Sequence, residues 1–172
     1  HKLGDVKTID LMQYDGLTDA FSGNLMGITA ENISKKFNIT REMQDEFALK
    51  SQQKATIALA KNYFKDEILP IEVKVKKDLV MFAQDEGIRA DVTLDALANL
   101  RPAFDKEGTV TAGNASSIND GAACLLVVSE ESLKKYNLRP IARIVSYAEA
   151  GVDPSIMGTG PVPASYKKKK KA

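Results

Sequence analysis

The residues best suited to hold a ligand lie in one stretch, 100–123, which reads LRPAFDKEGTVTAGNASSINDGAA. Gly108, Gly113, Asn114 and Gly121 tolerate a left-handed backbone. Ala112, Ala115, Ala122 and Ala123 keep side chains short, so backbone can come close to a ligand or to another backbone. Ser116 and Ser117 add hydroxyls that both donate and accept hydrogen bonds. Residues 112–117 carry no charge, unlike a solvated linker. From the residues alone two readings stay open: a ligand-contacting loop, or a packed loop leading into a buried strand. The one cysteine, Cys124, follows within an apolar run, with no cation or histidine beside it to lower its pKa. It is read as a structural, inert thiol. The one histidine is His1.

The elements that must position this stretch are mostly helical upstream of it. Thr29 is expected to cap a helix reaching Phe37, with Ile28 and Ile33 as a hydrophobic staple and Asn38 as its stop. Ala30, Ile33 and Phe37 share one face of it. Thr40 caps a longer helix to about Asn62, with Glu42 and Asp45 at its positive end and Met43, Phe47, Ser51, Ala55 and Ala58 as the inward stripe. Residues 68–75 and 79–82 read as the strands of a hairpin, and Lys74, Lys76 and Lys77 as its solvated edge rather than a phosphate site. Residues 84–91 form a polar loop, and 93–100 a short helix stopped by Pro102.

Downstream, the apolar run 121–128 suits a strand covered on both faces, and 141–147 a second strand. Ser129 caps a helix between them. Residues 151–165 read as loop with a helix starting at Pro163. The lysine run 167–171 reads as a disordered tail.

Composition bounds the class. Of 172 residues, 44% are hydrophobic and 27% charged, with 24 Lys and Arg against 23 Asp and Glu. Five of those cations are the terminal lysine run, so the body is slightly acidic, which argues against a nucleic-acid partner. No apolar run reaches the ~20 residues of a membrane span. One cysteine allows no internal disulfide and suits a reducing compartment. The chain begins with His1, and the N-terminus of a longer protein is expected upstream.

The stretch 100–123 resembles the signature of the thiolases, in particular their acetyl-CoA C-acetyltransferase branch. Three more segments agree in order: MGITAEN at 26–32, QDEFA followed by SQ at 44–52, and GVDP followed by MGTGP at 151–161. The resemblance implies an α/β thiolase fold, present in part. Residues 1–118 correspond to the loop domain that covers coenzyme A. Residues 119–138 correspond to the end of the N-terminal half, 139–165 to the start of the C-terminal half, and 166–172 to a lysine-rich tail. It also implies transfer of an acetyl group between two acetyl-CoA molecules through a cysteine thioester, or the reverse thiolysis of acetoacetyl-CoA. The family's nucleophile, its Gly-His-Pro loop and its second cysteine match nothing here, so no catalytic residue is assigned. A non-catalytic module binding CoA or acyl-CoA is the alternative.

By that resemblance the CoA contacts are Leu17, Leu25, Met26, Arg89, Asp91, Phe104, Ala112 and Ser116. Ser116 matches the serine that bonds the pantetheine arm, and Phe104 and Leu17 match apolar walls around it. Arg89 matches the arginine at the adenine and phosphate end, with Asp91 two positions on. Met26 flanks the acyl pocket. Leu25 stands where short-chain members commonly carry His, and Ala96 where some carry Ser. Phe21 stands near the place of a metal-binding Tyr and lacks its hydroxyl, so no metal is expected. CoA and acetyl-CoA enter as substrates, with no tightly bound cofactor. The expected setting is a cytoplasmic homodimer or homotetramer with neither nucleic acid nor membrane as partner.

Overall fold

The structure, a computed structural model, describes residues 3–169. A π-helical turn at Met12–Gly16 precedes the first long helix, α1 (Met26–Phe37). Asn38 ends α1 in the left-handed conformation at φ 53°, the stop its sequence announces. The start differs from expectation. Leu25 is the residue before the helix, and Thr29 lies inside its first turn, donating its hydroxyl to the Met26 carbonyl at 2.7 Å. The staple built on Thr29 as cap therefore has no cap to serve. Phe37 is exposed instead of sharing the covered face.

Helix α2 (Arg41–Ala60) opens as its sequence dictates, with the Thr40 hydroxyl accepting from the Met43 amide at 3.3 Å. Its covered face keeps the expected stripe at Ala55 and Ala58, which are half-buried, and is rotated from it in the N-terminal half. Met43, Phe47 and Ser51 are exposed, while Asp45 is buried and Gln44, Ala48, Leu49 and Gln52 are half-buried. The polar residues turn inward because the loop they meet offers hydrogen-bonding groups rather than an apolar surface.

Strands β1 (Ile71–Val75) and β2 (Asp78–Phe82) form the expected antiparallel hairpin, Ile71 opposite Phe82 and Val75 opposite Asp78. Lys76 takes φ 58° in its two-residue turn. Helix α3 (Leu94–Ala98), capped by Thr93, packs on α2. Helix α4 (Glu130–Lys135) is capped by Ser129. A 3₁₀ helix at Pro154–Thr159 packs against α1 and leads into α5 (Pro161–Lys169). Lys167, Lys168 and Lys169 are thus helical, against the expectation of a disordered tail, and Lys170 and Lys171 lie outside the described residues.

The strands expected at 121–128 and 141–147 do not form. Both segments have no ladder partner among the described residues, and their side chains face solvent: Leu125, Leu126 and Val127, then Ile141, Ile144 and Val145. A strand is a paired object, and apolar sequence without a neighbour to bond remains open chain. Cys124 is exposed for the same reason, not packed.

The interior is unusual in kind. Among the described residues the fully buried apolar side chains are Leu97 and Val110, whereas Thr29, Glu31, Ser34, Asp45 and Thr111 are the buried polar ones. The centre of the molecule is a hydrogen-bonded network between α1, α2 and residues 109–114.

Candidate functional site

Two chain reversals bring the walls of the site together. In the first, Thr18 bridges Leu25, and the Met26 amide donates to the Leu17 carbonyl at 2.8 Å. Asp19 organises its tip by accepting from the Ser22 amide at 2.9 Å and from that residue's hydroxyl. The Ser22 hydroxyl first, then its amide, hold the Asp19 carboxyl below its ordinary value. Leu17 is so delivered beside the start of α1. In the second reversal Pro102 bridges Thr111, and the Ala103 amide donates to the Val110 carbonyl at 2.9 Å. The Phe104 ring then lies directly on Gly27 of α1, where any side chain larger than hydrogen would collide with it.

Residues 109–114 are held from both helices. The Glu31 carboxylate accepts from the Thr109 amide at 2.9 Å, the Val110 amide at 2.7 Å and the Thr109 hydroxyl at 3.0 Å. From α2, Gln44 donates to the Thr109 hydroxyl at 2.8 Å. Asp45 accepts from the Asn114 side-chain amide at 3.0 Å and pairs with Arg41 at 2.7 Å. Asn114 closes its own loop, accepting from the Thr111 amide at 2.7 Å and donating to the Thr109 carbonyl at 3.0 Å. The Arg41 guanidinium also donates to the Leu97 and Leu100 carbonyls at 2.6 and 3.0 Å, fixing the end of α3 to α2.

These parts enclose a cavity of about 670 Å³. Its lining includes Leu17, Leu25, Met26, Ile33 and Phe104, together with Val110, Asn114, Ala115 and Ser116. Such a volume with a mainly apolar lining and few polar groups has the character of a small-molecule site. The Ser116 hydroxyl makes no hydrogen bond among the described residues, so it stands ready to make one.

Five of the eight sequence-assigned residues therefore line one cavity: Leu17, Leu25, Met26, Phe104 and Ser116. Ala112 sits on the loop that bounds it but is exposed and outside the lining. Arg89 and Asp91 do not line it either. They belong to an exposed segment that Gln52 of α2 holds, accepting from the Arg89 amide at 2.9 Å and donating to the Gly87 carbonyl at 3.2 Å. Arg89 makes no ion pair among the described residues. Phe21 and Cys124 are exposed, and neither lines the cavity. Among the described residues no cluster of three His, Cys, Asp or Glu could hold a metal ion, and no helix is long and apolar enough to cross a membrane.

Sequence reasoning missed Glu31 and the inward role of Gln44 and Asp45. A signal for Glu31 existed. Gly27, Glu31 and Ser34 recur at i, i+4 and i+7, a narrow face of small residues interrupted by one acid, which marks a close approach that the acid must serve.

The family model "Thiolase, N-terminal domain" matches residues 1–131. The acetyl-CoA acetyltransferase of Rhizobium meliloti strain 1021 is 60% identical over 171 residues, 99% of this chain and 44% of that protein. That of Escherichia coli strain K12 is 53% identical, over 97% of this chain and 42% of that protein. The solved Bacillus anthracis acetyl-CoA acetyltransferase superposes with a TM-score of 0.86 at 48% identity, over 99% of this chain and 43% of that one. The human mitochondrial 3-ketoacyl-CoA thiolase gives 0.85 at 46%, over 99% and 43%. The chain spans less than half the length of the relatives it matches.

Proposed function

With the chain belonging to the thiolase family, we propose that it supplies the CoA site of an acetyl-CoA C-acetyltransferase, a soluble cytoplasmic enzyme of fatty acid metabolism that works as a homodimer or homotetramer. The reaction joins two acetyl-CoA molecules into acetoacetyl-CoA and CoA, or runs in reverse as thiolysis.

One observation carries the reading. Leu17, Leu25, Met26, Phe104 and Ser116, drawn from three separate stretches of sequence, line a single mainly apolar cavity. In this reading the pantetheine arm lies between the Leu17 and Phe104 walls, and Ser116 bonds one of its amides. Met26 and Leu25 stand at the acyl end, where their bulk favours a short acyl chain. Arg89, on its exposed loop, takes the phosphate end as a fixed cation. What these residues do is bind, orient and keep water from the thioester. The thiolate, acid and base that move the acyl group are assigned to the rest of a longer protein.

Isothermal titration of CoA tests the reading. Ser116→Ala is expected to weaken binding by about 1 kcal/mol, one neutral hydrogen bond; an unchanged affinity removes Ser116 from the site. Arg89→Ala is expected to weaken CoA more than dephospho-CoA, and equal losses would displace Arg89 from the 3′-phosphate.

The alternative, a non-catalytic module binding CoA or acyl-CoA, is favoured by one fact: among the described residues neither a cysteine nor a histidine lines the cavity. Thiolysis of acetoacetyl-CoA by the whole protein separates the two.

A further inference from the structure

We propose that Glu31 is a positioning residue for the ligand-facing loop, acting through Thr109 and Val110 on the presentation of Ser116. The inference rests on the CoA reading of the cavity and goes beyond it, because Glu31 does not line that cavity.

Glu31 is 2% exposed and has no ion pair among the described residues. A buried carboxylate without a cation is costly unless hydrogen bonds compensate it. Here one oxygen accepts from the Thr109 and Val110 amides, and the other from the Thr109 amide and hydroxyl. Charge-assisted bonds to two successive peptide groups fix the orientation of both peptide planes. Those planes lie immediately before Thr111, and Val110 itself is a cavity wall.

The hold is tight from the loop side as well. A Cβ on Gly108 would collide with the Glu31 carboxylate. Five residues past Thr111 comes Ser116, whose own hydroxyl has no hydrogen-bond partner among the described residues and whose direction is set by the loop. Glu31 thus anchors the upstream end of the wall that Asp45 and Asn114 anchor downstream.

Two variants reach the same contact from opposite sides. In Glu31→Gln the charge is lost and one of the two acceptor oxygens becomes –NH2, which can donate to the Thr109 hydroxyl but can no longer accept from the Thr109 amide. In Gly108→Ala the new methyl meets both the Glu31 carboxylate and the Asp105 carbonyl, so it pushes the carboxylate off its partners without removing its charge and also shifts the turn at Asp105. Each is expected to raise the Kd for CoA roughly tenfold, the low end for a charged hydrogen bond, measured by titration calorimetry on the full chain at a temperature where circular dichroism shows it folded. Adding Ser116→Ala to either is expected to cost less than Ser116→Ala alone, since the hydroxyl is already misplaced.

Affinity equal to wild type in the folded variants, or full additivity with Ser116→Ala, overturns the positioning role while leaving the CoA reading standing. Should Glu31→Gln not fold, Gly108→Ala alone decides. A wild-type chain that binds no CoA removes the CoA reading and this inference together.

Discussion

Gly27 shows how a single missing atom group shapes the cavity. An alanine in an exposed helix position would add up to ~1 kcal/mol of helix stability over glycine. Here its methyl meets the Phe104 ring, and overpacking of this kind costs about 1–3 kcal/mol. Gly27→Ala is therefore expected to lower the midpoint of urea unfolding, and a raised midpoint would show that the ring has room to move. Met26, Phe104 and Ser116 could be picked out from sequence because each falls in a recognisable motif, and Leu17 only through the family resemblance. Glu31 was missed although the Gly27, Glu31 and Ser34 spacing carried a signal, because a glutamate in a helix ordinarily reads as solvent-facing. Only its three donors, 78 and 79 residues away in the chain, reveal why it is inside.

At the scale of elements, much of what is specified locally was legible, the cap assigned to Thr29 excepted, since α1 already begins at Met26. Thr40, Thr93 and Ser129 each cap the helix that follows, and each hydroxyl accepts from an amide three residues on. Thr40→Ala is expected to cost about 1 kcal/mol in thermal unfolding, and a change near zero would mean that tertiary contacts alone hold the start of α2. The hairpin was legible too, its partner strands lying two residues apart. The strands expected at 121–128 and 141–147 were misread because apolar composition speaks of burial, while strand formation needs a neighbour that composition does not name. The 3₁₀ helix against α1 carries a pH signature. The Ser155 hydroxyl first, then its amide, hold the Asp153 carboxyl below its ordinary value of 3.8. A lowered carboxylate pKa contributes stability above its unfolded value and loses it as pH falls through the folded one. The melting temperature should therefore fall less steeply below pH ~4 in Asp153→Asn than in wild type; parallel curves would show that Asp153 contributes nothing measurable there.

Taken whole, the molecule exposes much of what its sequence marks for burial. Leu125, Leu126 and Val127 lie in one open segment and Ile141, Ile144 and Val145 in another. Exposed apolar surface on this scale promotes association. In dynamic light scattering the 172-residue chain should self-associate with rising concentration, and the pair Leu126→Asp with Val145→Asp should reduce this. Equal particle size in both would show the segments to be innocuous. Charge balance and fold class were legible at this scale, but the polar centre was not, since no compositional average distinguishes an acid inside from an acid outside.

The two anchors of the loop also impose an order of events. Glu31 and Asp45 wait on α1 and α2 for partners that leave the ribosome 69 to 79 residues later. At about 5–20 residues per second several seconds pass in which Glu31 has none of its loop donors and Asp45 has only Arg41. The ligand groove therefore cannot form until residues 109–114 have emerged, and a nascent polypeptide stalled before Thr109 would carry α1 and α2 and no cleft.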